Sequence, residues 1–190
     1  MPAKASSFAT LACVLALSVF ASLPAASQQT AFTPTGFSLS VPTGFRIQAR
    51  PEGLSRDASA LVVTPNGLSY VHCDIRFHKP SLFRFGTSPD LQLIVQSPDN
   101  VQRLQVAFAD EYEIQSADPV MYDSVPGVAL IGDMRLPRSR LSMLPRQREL
   151  KVVLANVQGY AEVNCATDES DFDRRRPAFE TIIRGISFPR

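Results

Sequence analysis

The only two histidines of the chain fall in one short stretch, Leu68–His78 (LSYVHCDIRFH), with Asp74 between them. Imidazole and carboxylate are metal ligands, and a His near an Asp is also the start of a proton-transfer pair for hydrolysis. The stretch alternates apolar and polar residues, the mark of a half-buried strand. At ~3.3 Å per residue His72 and His78 then stand roughly 20 Å apart, too far to share one ion. The chain has no G-x-S-x-G elbow, Ser-x-x-Lys, phosphate-binding glycine loop or H-E-x-x-H. A solvated strand face accounts for His72, Asp74 and His78 most simply. A hydrolase-type enzyme using His72 and Asp74 is the catalytic alternative, and no cofactor or metal is expected.

Two charged segments come next. Asp168, Glu169, Asp171 and Asp173 form an acidic cluster without the spacing or turn glycine of a calcium loop. Acids just before a helix complement the positive end of its dipole, which explains them at less cost. The segment from Arg135 to Arg148 interleaves Arg135, Arg138, Arg140, Arg146 and Arg148 with Leu136, Leu141, Met143 and Leu144. Guanidinium groups grip carboxylates and phosphates, so this arm is the candidate binding surface for an anionic envelope component or an acidic protein. A hairpin whose arginines snorkel into water is the plainer alternative. Arg174-Arg175-Arg176 extends the same surface if the fold brings the two segments together.

Cysteine usage and the first residues bear on compartment. Residues 1–27 have the parts of a secretory signal: Lys4, the apolar run Leu11–Ala21, and Ala25-Ala26-Ser27 as a small-residue cleavage site. Cys13 lies near the start of that run, not after it where a lipid-modified cysteine would sit. Cleavage after Ser27 leaves Cys73 and Cys165, an even pair that favours a disulfide in an oxidising compartment. Their separation of 92 residues makes the loop-closure contribution up to about 4–5 kcal/mol. The exported chain loses only Lys4 from its 19 bases and keeps all 18 acids, so no global field steers it to nucleic acid. No transmembrane segment is expected in the mature chain, and its surroundings are periplasmic or extracellular.

Patterning then places these residues on elements. Residues 28–36 read as a flexible lead-in to a single domain over 37–190. Phe37–Val41 and Phe45–Ala49 alternate with period two around Pro42-Thr43-Gly44, predicting an opening β-hairpin. Ala60–Thr64 is a short strand ended by Pro65-Asn66-Gly67. In Leu68–His78, Val71, Cys73, Ile75 and Phe77 share one face and carry the cysteine inward. Asp90–Gln96 fits helix or strand, whereas Ser97-Pro98-Asp99 has the residues of a helix start and predicts a helix over 98–112. Strands are expected at Pro119–Asp123, Gly127–Leu136, Glu149–Val157 and Tyr160–Cys165. Phe172, Phe179, Ile182, Ile183 and Ile186 form the apolar stripe of a closing helix. Pro177 argues for a regular start near Arg174–Arg176. The sum is an α+β domain: a mostly antiparallel sheet, two main helices with the C-terminal one packed on the sheet, and one disulfide.

The opening Phe37-Ser-Leu-Ser-Val-Pro-Thr-Gly-Phe45 and the closing Phe179-Glu-Thr-Ile-Ile-Arg-Gly-Ile-Ser-Phe188 resemble the PsbP-like family of α/β/α sandwiches. Where such hairpins often read P-x-G-W, this chain has Pro42-Thr-Gly-Phe45. The resemblance implies a binding or assembly role and no catalytic residue. With the residues, it points to an exported non-enzymatic domain that binds a protein or cell-envelope partner. A purely structural envelope protein is the remaining alternative.

Overall fold

Period-two alternation is realised across most of the molecule. A computed structural model describes residues 28–32, 36–49, 58–64, 71–78, 88–135 and 145–189. In chain order the strands are β1 (Gln28–Phe32), β2 (Phe37–Val41), β3 (Arg46–Ala49), β4 (Ala58–Val63) and β5 (His72–His78). Helices α1 (Ser88–Val95) and α2 (Pro98–Phe108) follow. Strands β6 (Tyr112–Tyr122), β7 (Val125–Met134), β8 (Gln147–Asn156) and β9 (Gly159–Asp168) come next. A 3-10 turn at Glu169–Asp171, helix α3 (Phe172–Arg184) and the short β10 (Ile186–Ser187) close the chain. Seven strands form one antiparallel sheet in the order β3-β4-β5-β9-β8-β7-β6, and β1-β2-β10 form a second, three-stranded sheet.

The two faces of the large sheet bury different partners. Cys73, Ile75 and Phe77 of β5, Ala161, Val163 and Cys165 of β9, and Leu150, Val152 and Leu154 of β8 point to one side. There they meet Phe37, Leu39 and Val41 of β2 and Phe172, Phe179, Ile182 and Ile183 of α3. Phe37 stacks on Phe77 with ring centroids 4.5 Å apart, joining the small sheet to the large one. On the opposite side Leu91 and Val95 of α1 pack on Val128, Leu130 and Ala155, with Val101, Leu104 and Phe108 of α2 against them. The result is a layered α/β/α arrangement in which the apolar stripe of each helix selects its face.

Cys73 and Cys165 stand directly opposite each other on β5 and β9, and their sulfurs form the expected disulfide. Both are buried on the α3 side. α2 begins as its sequence indicates: the Ser97 hydroxyl accepts the Asn100 N–H at 3.2 Å, and Pro98 occupies the first turn.

Several expectations are corrected. The opening hairpin does not form, because β2 pairs with β1 and β10 while β3 pairs with β4 in the other sheet. Apolar alternation sets which face is buried, but not which strand is the neighbour. Gln28–Phe32, read as lead-in, is strand β1 along β2. Asp90–Gln96 resolves to helix, adding α1 to the two helices expected. α2 ends at Phe108, and β6 begins already at Tyr112 and runs through Pro119. Pro119 is tolerated there because β6 is an edge strand. α3 starts at Phe172, ahead of Arg174, and takes Pro177 into its interior. Phe172 is buried against Phe179, and that burial offsets the bond the proline cannot make.

The end of α3 is locked to β2 by close backbone approach. Gly185 donates its N–H to Thr181 and Ile182, and its carbonyl accepts the Ser40 N–H at 2.9 Å. A Cβ at Gly185 would run into the Ser40 carbonyl. Gly185→Ala is therefore expected to cost about 1–3 kcal/mol by overpacking, read as a lowered urea midpoint with unchanged slope. An unchanged midpoint would contradict this clamp.

Candidate functional site

The face of β5 and β9 turned away from α3 carries the polar side chains of the histidine stretch. Register sets Asp74 opposite Asn164, Arg76 opposite Glu162 and His78 opposite Tyr160, with Lys151 of β8 on the far side of Asn164. Glu162 is the hub: its Oε1 lies 3.3 Å from Lys151 Nζ and its Oε2 3.9 Å from His78 Nε2. The His78 ring stacks on Tyr160 at 4.4 Å, and Arg76 reaches Asp74 at 3.8 Å. Lys151 is only 7% exposed, and its ammonium sits 3.6 Å from the centroid of the Phe108 ring. A desolvated cation over an aromatic face is held there by both ring and carboxylate. Tyr112 completes the group. Burial first, and then its hydrogen bond to Glu149, push its hydroxyl far above the usual range, so it stays a neutral donor.

The structure thus separates His72 from His78 at the two ends of β5 and brings His78 and Lys151 to Glu162, with Asp74 paired to Arg76 on the same face. Among the described residues, no three metal-ligating side chains lie close enough to hold an ion. Sequence reasoning missed Lys151 and Glu162. The available signal was a lone lysine inside the apolar run Leu150-Lys-Val-Val-Leu154, a position that demands a carboxylate partner.

The arginine segment joins β7 to β8, so it is a hairpin connection at one end of the large sheet. Arg138 and Arg140 lie outside the described residues. Arg135 and Arg146 are exposed at its two feet. Arg148 departs from expectation: it lies within β8, its Nε donates to Asp133 Oδ1 at 2.7 Å and its Nη2 to Glu169 Oε1 at 2.7 Å. Its guanidinium also rests 5.9 Å from the centroid of the Phe172 ring. The Asp133 hydrogen bond, chief among these contacts, holds Arg148 firmly charged. This arginine is committed to the fold and is not part of a free patch.

The same bridge brings the two arginine segments to one end of the molecule. Glu169 donates its N–H to the Arg146 carbonyl at 2.8 Å, so the arm's foot abuts the start of α3. Arg174 follows in the first turn of α3, paired with Asp171 at 2.8 Å, and Arg176 bonds Glu180 at 3.0 Å. The acidic cluster is therefore used for ion pairs around the helix start: Glu169 with Arg148 and Asp171 with Arg174.

A closing α3 on the disulfide-bearing face, two helices on the other and an antiparallel sheet between them match known structures. The solution structure of cyanobacterial PsbP (CyanoP) from Synechocystis sp. PCC 6803 superposes with a TM-score of 0.54 at 15% identity, covering 89% of this chain and 95% of that one. The fold is PsbP-like. A crystal structure from Bacteroides thetaiotaomicron gives a TM-score of 0.53 at 10% identity over 85% of this chain, which spans 48% of that longer protein. No family model and no curated protein matches the sequence. No described helix is long and apolar enough to cross a membrane.

Arg148→Met should cost about 2 kcal/mol, because it strips two partly buried carboxylates of charged hydrogen bonds. Arg174→Met, at an exposed pair, should cost less than about 0.5 kcal/mol. Equal losses in urea unfolding would contradict the distinction between a structural and a surface arginine.

Proposed function

We propose that this chain is an exported, non-catalytic binding domain that docks an acidic protein or anionic envelope component with the arginine-bearing end of its sheet. One observation supports this reading above the others. Arg135 and Arg146 stand exposed at the feet of a segment whose base is clamped by Arg148 to Asp133 and Glu169, beside the exposed Arg174. A clamped base lowers the ordering cost of binding, and guanidinium groups present paired donors to carboxylates and phosphates. With bases and acids nearly balanced over the chain, attraction to an anion rests on this local grouping. The PsbP-like fold is compatible with such a role, as is the disulfide with an exported setting. A catalytic use of His72 and Asp74 draws less support, since Asp74 is engaged with Arg76 and His72 stands apart from the Glu162 hub.

The test is a crosslinking pulldown from native envelope extract with the full chain and with an Arg135→Glu, Arg138→Glu, Arg140→Glu, Arg146→Glu variant. The account expects a partner whose recovery falls at least about tenfold in the variant and declines with salt. Recovery unchanged by the four reversals would overturn it.

A further inference from the structure

Helix α1 is apolar on more sides than its packing uses. Leu91 and Val95 are buried against the sheet, whereas Leu93 and Ile94 are 74% and 56% exposed. At about 3.6 residues per turn, Leu93 lies on the side of α1 away from the sheet and Ile94 on a flank. Gln96 shows which flank. It stands nearly opposite Ile94 on the helix, and its amide donates to the Val120 carbonyl of β6 at 2.7 Å. α1 packs on β7 and β8, whose outer neighbours are β6 and β9, so Ile94 is turned toward β9. There the apolar surface continues. Tyr160 of β9 stands opposite Ala155, which packs with Leu91 and Val95, and Val157 in the adjoining turn is 42% exposed. Six large apolar side chains are exposed among the described residues, and Leu93, Ile94, Val157 and Tyr160 are four of them.

This patch carries almost no charge. α1 has Asp90 alone, in its first turn, and the β8–β9 turn Asn156-Val-Gln-Gly159 has none. Glu162 and Lys151, the ionised pair beside Tyr160 and Ala155, neutralise each other. An acidic or basic partner would lose hydration here and find no counter-charge. The fitting occupant is a surface as apolar and uncharged as the patch itself, which a second copy supplies without like-charge repulsion at the centre. The four side chains expose roughly 400 Å2, a size of patch that on monomers is often functional. With the exposed amides of Gln92 and Gln158 as a rim, the contact approaches the ~800 Å2 per partner of a standard interface.

We propose that α1 and the β8–β9 turn form the interface of a two-fold symmetric dimer of this chain. Leu93 and Ile94 of each copy pack on Ile94, Val157 and Tyr160 of the other. β8 spans ten residues between the arginine-bearing end and this turn, so the interface lies roughly 30 Å from Arg146. Both arginine-bearing ends stay uncovered, and a repetitive anionic surface is held by two sites at once. That last consequence rests on the docking role proposed above; the dimer itself does not.

Sedimentation velocity on the exported chain over a concentration series tests the proposal. A dimer should form in roughly the micromolar range. It should hold or tighten as salt rises, unlike binding through the arginines. Leu93→Glu and Ile94→Glu, each with its unfolding temperature retained, should raise the dissociation constant at least about tenfold. Val106→Glu, at an exposed apolar residue of α2 outside the patch, should leave it unchanged. Hydrogen exchange above the dissociation constant should show added protection in 91–96 and 157–160. A chain that stays monomeric up to about 1 mM, a dimer dissolved by salt, or Val106→Glu as disruptive as Leu93→Glu would each overturn the proposal. So would a monomer that co-sediments with phosphatidylcholine vesicles and loses them on Leu93→Glu, which would give the patch to a lipid surface.

Discussion

Strands β5 and β9 lie side by side although Cys73 and Cys165 are 92 residues apart in the chain. Everything between them, α1, α2 and the β6-β7-β8 meander, is a single excursion that must return to close this one pairing. Closing so long a loop is a large entropic demand, and the disulfide removes part of it from the unfolded chain, by up to about 4–5 kcal/mol. The same pairing puts Ile75 opposite Val163 and Phe77 opposite Ala161, the floor on which α3 and β2 are laid. Phe37 stacked on Phe77 and Gly185 bonded to Ser40 then make α3, β2 and β10 one layer. The closing helix is a clasp whose hinge is the β5–β9 pair.

One pairing also serves the other face. The alternation that sends Cys73, Ile75 and Phe77 toward α3 sends Asp74, Arg76 and His78 the opposite way, where Glu162 and Lys151 meet them. Lys151 is tolerated in a buried strand because Glu162 and the rings of Phe108 and Tyr112 surround its ammonium. That cluster fastens the end of α2 to the sheet. At the end of the sheet, Arg148 does comparable work for the arm, binding β7 through Asp133 and the helix start through Glu169. Structural charges and candidate binding charges are thus neighbours in sequence and differ in burial and in the acids the fold gives them.

Much of the core was legible. The inward face of Cys73, Ile75 and Phe77, the stripe of Phe179, Ile182 and Ile183, the Ser97 cap and the disulfide follow from period, capping chemistry and cysteine parity. What was hidden depends on partners distant in sequence. Nothing in Phe37–Val41 says that its neighbours are Gln28–Phe32 and Ile186–Ser187 and not the strand after the next turn. Pro177 is a correct local objection that Phe172, once buried, outweighs. Arg148 looked like one arginine among five, because its distinction is the pair of acids that the fold supplies from β7 and the 3-10 turn.

The central claim is that the β5–β9 pairing carries α3 and the small sheet as one layer, while α1, α2 and the outer strands stand on their own packing. Hydrogen exchange by mass spectrometry on a Cys73→Ala, Cys165→Ala variant tests it most directly. The account predicts that amides of β5, β9, α3 and β2 lose protection together, with α2 and the β6–β7 pair close to unchanged. Loss of protection in α3 alone with β2 intact, or a uniform loss over the whole chain, would contradict it.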